Sequence, residues 1–266
     1  MKRAIDAILA LELETTFASS HYEFSETMQS GEAFPIGSGF AFYAGQDSPF
    51  TQVVGWGFGI SDSEQLQHQL SEIENFYLQR HAMGVAIELS PLVGTQVARL
   101  LTDTGYAIAE FSDIACMELS QWQAQAPGQD KASIVVAKIV GAKELELWAQ
   151  TVASGFSAPE LAQTFIQYAN GDHCHAFGAY LDGILCGGGT MAMHHGVCDL
   201  GITSTLMDFR GRGLQTALLQ ARLHFAKEQG ATLAAVATDP GSTSCKNVHK
   251  AGFETCYTRI KFEKPL

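Results

Sequence analysis

Between Cys174 and Leu206 the chain reads as three apolar runs joined by turns so short that the runs must be antiparallel neighbours. The first two, 174–181 and 184–193, are separated only by Asp182-Gly183, a pair that accepts the positive φ of a tight hairpin turn. His195-Gly196 turns the chain again into a third strand over 197–206. Arg210-Gly211-Arg212-Gly213-Leu214-Gln215 then leaves the strand and opens a helix. That helix has an apolar stripe of Leu214, Ala217, Leu218, Ala221 and Phe225, and it stops near Gly230. A meander of antiparallel strands that feeds a glycine-rich loop and a helix limits the fold to a mixed α/β arrangement. Its central sheet is mostly antiparallel and flanked by helices.

The elements around this segment extend the same pattern. Residues 133–140 are rich in Ile and Val and read as a strand. Leu145, Trp148, Ala149, Val152 and Phe156 follow at helical spacing. Ser157 and Glu160 have the spacing of a capping box for a further helix that runs to about Asn170. After Gly230 come a short buried strand at 233–237, the turn Asp239-Pro240-Gly241-Ser242, a short helix ending at Gly252, and a closing strand over 253–262. The first half repeats the end of this order. Residues 85–91 resemble 233–240, a helix follows each, and each helix ends at a glycine and an aromatic residue, Gly105-Tyr106 and Gly252-Phe253. An internal duplication is expected on that ground. The first copy has no glycine-rich loop, since 61–69 occupy its place. The best linker is the polar run 121–131 with Pro127-Gly128, so the domains are placed at 1–125 and 131–266.

Charge separates the halves. Residues 1–130 carry a net charge of −13 and residues 131–266 carry +1, within a total of −12. An acidic first half repels nucleic acid and anionic membrane surfaces, so neither is expected as a partner and an anionic ligand is expected on the second half. No apolar stretch reaches the roughly 18 residues of a membrane helix. Asp6, Glu12 and Glu14 interrupt the apolar start too soon for an export signal, and six dispersed cysteines without a Cys-x-x-Cys pair suggest reduced thiols, so a cytoplasmic protein is expected.

The loop is where an anion would sit. Backbone N–H groups at a helix start supply close donors, the helix dipole favours negative charge, and Gly211 and Gly213 keep side chains out of the way. Arg210 and Arg212 add positive charge. A nucleoside-triphosphate loop would need Gly-x-x-x-x-Gly-Lys-Ser/Thr, which does not occur. A dinucleotide fingerprint would need a third glycine where Thr216 stands, and parallel strands ahead of it.

On these residues the second half resembles the GNAT-type N-acetyltransferases. That family's signature is Arg/Gln-x-x-Gly-x-Gly/Ala, and Arg210 through Leu214 follow it, with Gln215 departing at the last position. Met207-Asp208-Phe209 stand where the family often has Pro-Glu-Tyr. The resemblance covers about 131–266, and the first half resembles a degenerate copy. It implies an acyl-CoA, most simply acetyl-CoA, as co-substrate. The backbone of Gly211, Arg212, Gly213, Leu214, Gln215 and Thr216 would hold the pyrophosphate, helped by Arg210, and Asn247 near the next helix start would assist. The strand at Thr203, Thr205 and Leu206 would pair with the pantetheine arm and offer an oxyanion donor. The family often places an acid tyrosine four residues before the glycine of Gly-Phe; that position is Val248. Tyr257 is the first substitute for the acid, with His249 and Ser244 nearby, and Asp199 is the candidate base, with His194 and His195 as others.

His173 and His175, with His194 and His195, could suggest a metal site, since 173 and 175 would share a strand face, but no Cys-x-x-Cys or His-x-x-x-His spacing supports it and no metal is expected. The expected activity is therefore transfer of an acetyl group from acetyl-CoA to a primary amine on a small molecule or peptide, in a chain for which a homodimer is compatible. The alternatives are an acyl-CoA sensor without chemistry and a scaffold that binds no nucleotide.

Overall fold

The computed structural model describes residues 5–46, 48–123 and 134–266. In chain order the elements are α1 (Ala7–Thr27), β1 (Glu32–Ile36), β2 (Gly39–Tyr43), β3 (Val53–Val54), α2 (Ser63–Leu78), β4 (Gly84–Leu89), α3 (Thr95–Asp103), β5 (Ala107–Glu118), β6 (Ile134–Lys138), α4 (Ala142–Gly155), α5 (Ala162–Ala169), β7 (Cys174–Leu181), β8 (Ile184–His194), β9 (Val197–Asp199), β10 (Ser204–Thr205), α6 (Leu214–Glu228), β11 (Leu233–Thr238), α7 (Thr243–Lys250) and β12 (Glu254–Pro265). They form the expected mixed α/β fold, mostly antiparallel and flanked by helices. Two compact units emerge. The first runs to Ile114 and includes Thr238–Pro240 and Thr255–Leu266; the second is Ala115–Ala237 with Gly241–Glu254. Most of the polar run expected as the linker lies outside the described residues. The units divide earlier than that run, and the closing strand groups with the first unit instead of the second.

The reason is pairing and charge. In the first unit β12 runs antiparallel to β4, with Ile260 opposite Leu89 and Phe262 opposite Ile87. Arg259 of β12 reaches α1, where its Nε and Nη2 donate to Glu14 Oε1 at 3.1 Å and Oε2 at 3.0 Å. Tyr257 donates its hydroxyl to the same Oε1 at 2.9 Å. Both charged side chains are buried, so each is held by the other. Burial works to lower Arg259, but Glu14 and Glu88 outweigh it and raise it.

His21, on the same helix, has its Nδ1 2.9 Å from the Phe17 carbonyl, which makes Nδ1 the donor, and Gln52 Nε2 lies 3.2 Å from its Nε2. Its ring packs on Phe42 and Phe50 at 5.4 and 5.7 Å. Burial pulls its pKa down to about 4, with the Phe17 bond opposing and the Arg259 and Lys261 charges adding to the fall. The folded state therefore binds fewer protons than the unfolded chain between about pH 6.5 and 4. Stability should fall as the pH drops through that window, by about 3 kcal/mol from this group, and level off below it. Urea melts of wild type and His21→Asn at pH 7 and pH 4.5 check this. A difference between them that does not change with pH would remove His21 as the cause.

The second unit repeats the strand order of the first. In the first, β1, β2 and β3 pair antiparallel and β3 then pairs parallel with β4. In the second, β6, β7, β8 and β9 pair antiparallel and β9 then pairs parallel with β11. The Asp182-Gly183 turn holds as expected, with φ of 50° and 81°. Three consecutive glycines on β8 then shape the packing. A Cβ on Gly188 would stand 2.2 Å from the Trp148 indole of α4, and one on Gly189 would stand 2.8 Å from the Arg222 guanidinium of α6. Neighbouring strand residues face opposite ways, so α4 and α6 cover opposite faces of this sheet. The expected capping box is absent. Ser157 takes a left-handed φ of 61°, and the chain starts a 3-10 turn at Pro159 with no side-chain cap. Pro159 pre-sets that start, and Ala158 before it is held out of the helical region, with φ of −133° and ψ of 64°.

Candidate functional site

The strand expected over 197–206 is broken in the middle, and the break is what makes a site. Asp199 of β9 pairs with Ala192 of β8, while Ser204 of β10 pairs with Gly188. Five steps on one strand therefore match four on the other, which is a β-bulge. Thr190 N–H donates to both Gly201 and Ile202 carbonyls at 3.2 and 3.3 Å, and Ile202 holds a positive φ of 25°. The bulge turns the chain out of parallel contact with β11. The pairing ends at Asp199 and Ala235, where Leu200 N–H donates to Ala235 O at 2.9 Å. Beyond it β10 and β11 separate.

Register decides which backbone groups face the gap. Leu206 N–H donates to Cys186 O at 2.9 Å, so Leu206 and, two residues earlier, Ser204 are turned to β8. Thr203 and Thr205 are turned the other way, towards the gap. This corrects one expectation: the Leu206 N–H is committed to the sheet and is no donor for a ligand. β10 is also clamped from behind, since Ser204 Oγ donates to Val152 O of α4 at 2.7 Å.

The strand leads through a short 3-10 turn, Met207–Phe209, into the glycine loop. Gly211 and Gly213 hold φ of 75° and 89°, the left-handed region where a side chain is strained. Gly213 is the N-cap of α6 and supplies no side-chain cap, and the first turn carries no acidic residue. The N–H groups of Leu214, Gln215 and Thr216 have no acceptor inside the helix. They converge with the positive end of the helix dipole on an exposed loop. Arg212 stacks 5.3 Å from the Phe209 ring and donates to Asp208 O at 3.2 Å. Arg210 braces the loop, with Nε donating to Thr205 O at 3.2 Å and Nη2 to Gly155 O at 2.8 Å. Gln215, where the family signature has a small residue, turns aside to α7. It donates to Ser244 Oγ at 3.2 Å and accepts from Asn247 Nδ2 at 2.5 Å. Asn247, Ser244 and Gln215 are thus brought together at the helix start.

The candidate proton carriers are dispersed. Asp199 is buried at the end of β9, where the strands part, and its charge acts on Arg222. Tyr257 lies in the first unit with its hydroxyl on Glu14, and burial raises its pKa well above the usual phenol value. A phenol held this way gives up its proton less readily than a free one. Val248 is buried in the apolar core of the second unit. His195 forms the hairpin turn before β9, with φ of 52°. His173 stands against His194, with ring centroids 5.4 Å apart, whereas His175 packs edge-on against Phe225. Of these histidines, His173 thus stands beside His194 and His175 beside Phe225. The sequence reading missed two residues at the bulge. Arg222 hydrogen-bonds it directly, and the Tyr168 hydroxyl lies 3.5 Å from where a Gly201 Cβ would be. Gly189 was the sign of Arg222, because a glycine inside a strand marks where a neighbour must approach closely.

Residues 142–253 match the model of the acetyltransferase (GNAT) family. A GCN5-related N-acetyltransferase from Kribbella flavida superposes with a TM-score of 0.73 over 96% of this chain and 96% of its own, at 16% identity. A tandem GNAT protein from the clavulanic acid biosynthesis pathway gives a TM-score of 0.64 over 99% and 97%, at 14% identity. A GCN5-related N-acetyltransferase from Sphaerobacter thermophilus gives 0.57 over 76% and 67%, at 16% identity. At these identities the likeness is one of fold. No curated protein matches the chain in sequence.

Proposed function

We propose, for a chain whose residues 142–253 match the GNAT-family acetyltransferase model, that the second unit binds acetyl-CoA and transfers its acetyl group to a primary amine. One observation carries the reading: a strand that turns Thr203 and Thr205 into an open gap runs straight into an uncapped, glycine-lined helix start. A long ligand with a diphosphate at one end and an amide-bearing arm at the other fits that continuity. The N–H groups of Gly211 to Thr216 would take the pyrophosphate, with Asn247 and Gln215 beside it and Arg210 bracing the loop. Thr203 and Thr205 would pair with the pantetheine amides as a further strand does.

The chemistry is direct attack. The amine nitrogen bonds to the thioester carbon, the C–S bond breaks, and the thiolate leaves and takes a proton. The ammonium proton must first be lost to a base, and Asp199 is the carboxylate we assign to it. Tyr257 is not assigned the acid, because its proton is held on Glu14. The acidic first half, with a net charge of −13 over residues 1–130, favours a cationic amine on a small molecule or peptide. We place the chemistry inside the second unit and take the first as a degenerate repeat.

Buried Val248 supports a second reading, an acyl-CoA-binding module without turnover. Calorimetric titration of acetyl-CoA, followed by measurement of thiol release with a panel of amines, separates the two. Binding with amine-accelerated thiol release supports the transferase. Binding with slow release that no amine accelerates supports the sensor, and no binding removes both.

A further inference from the structure

We propose that Arg222 is a positioning residue that holds the β9–β10 bulge in shape and thereby sets the gap that receives the pantetheine arm. The inference rests on the function proposed above. Arg222 sits in the middle of α6 with 3% of its surface exposed. Its Nη1 donates to Thr190 O of β8 at 2.8 Å, to Thr203 Oγ1 at 2.8 Å and to Gly201 O at 3.4 Å. Its Nε reaches back to Leu218 O at 3.3 Å. One guanidinium thus ties together both strands of the bulge and the residue that turns its backbone into the gap.

Stability alone does not call for such a group. An apolar residue of similar volume often serves a core as well as a buried charge. Burial lowers the Arg222 pKa to about 10 even with Asp199 close by. The surroundings are nonetheless built for this side chain. Gly189 leaves room for it, since a Cβ there would stand 2.8 Å from Nη1 and 2.8 Å from Thr203 Oγ1. The bulge it holds includes Ile202 with a positive φ, a conformation that persists only where its surroundings impose it. Without the guanidinium, the Gly201 carbonyl and the Thr203 hydroxyl lose a donor. The extra residue can then relax and carry Thr203 and Thr205 out of register with the arm.

The pyrophosphate loop lies at the other end of the gap, so the two ends of the ligand can be read separately. The probes are acetyl-CoA and ADP, which shares its adenosine and diphosphate but has no pantetheine. Arg222→Met should weaken acetyl-CoA by about tenfold or more and leave ADP within about twofold of wild type. Thr203→Val keeps the shape but removes one acceptor of the guanidinium and the hydroxyl's own bond to Gly201 O at 3.0 Å, and should give the same pattern with a smaller loss. It also serves if Arg222→Met fails to fold. A purely structural role would lower the melting temperature without changing the ratio of the two affinities. Equal loss of both ligands, or no loss of either in folded Arg222→Met, overturns the inference; if that variant fails to fold, the same results with Thr203→Val overturn it. If wild type binds ADP and acetyl-CoA equally, the arm makes no contact and the inference falls while the loop survives. If wild type binds neither, the function proposed above falls with it.

Discussion

Gly213→Asp is expected to abolish the heat of acetyl-CoA binding, with affinity reduced by about a hundredfold or more. Two effects add at this position. Gly213 holds φ of 89°, where any L-residue is strained by about 1–2 kcal/mol. The aspartate then places a negative charge at the helix start assigned to the pyrophosphate, where it competes for the same N–H donors. Gly213→Ala separates the two, because it adds the strain without the charge and should lose much less. A third variant, Gly211→Ala, meets no atom within 4 Å of its new Cβ and carries only the strain of φ 75°. The graded series, aspartate worst and the alanines mild, is the signature of an anion on the loop. Circular dichroism must show each variant folded. Equal affinity for Gly213→Asp and wild type would keep the cofactor and remove the site.

The second large effect is on stability and concerns the first unit. Glu14→Ala should lose about 3–5 kcal/mol in urea denaturation, because it leaves the Arg259 guanidinium buried with its bidentate partner gone. Tyr257 loses its acceptor at the same time. The remaining carboxylate, Glu88, lies 4.0 Å from Arg259 Nη1 and is shared with Lys261 at 3.3 Å. Replacing both members, Glu14→Leu with Arg259→Met, should recover most of the loss, since the cost lies in the orphaned charge. A loss below about 1 kcal/mol for Glu14→Ala would mean that apolar pairing of β12 with β4 alone holds the closing strand.

Much of the second unit is legible in local chemistry. Asp182-Gly183 admits only a tight hairpin, so β7 and β8 had to pair. Arg210 through Leu214 announced a helix start suited to an anion, because glycine placement and missing caps are properties of a few consecutive residues. The GNAT resemblance came from the same short run. One local expectation failed for a reason that is also local. The Ser157/Glu160 spacing looked like a cap, but Pro159 between them decided where the turn begins.

What the sequence determined by itself is local: strand identity, turn type, helix starts, and the class of ligand that a glycine loop can hold. Each follows from backbone sterics and hydrogen bonding within about ten residues. Only the tertiary structure decided the rest. The bulge at Gly201-Ile202 depends on Arg222, about twenty residues away on a helix. The place of β12 beside β4 depends on Glu14, more than two hundred residues earlier. Both are buried charges, and a buried charge is tolerated only where folding brings its partner to it. That meeting is not written in the spacing of either residue.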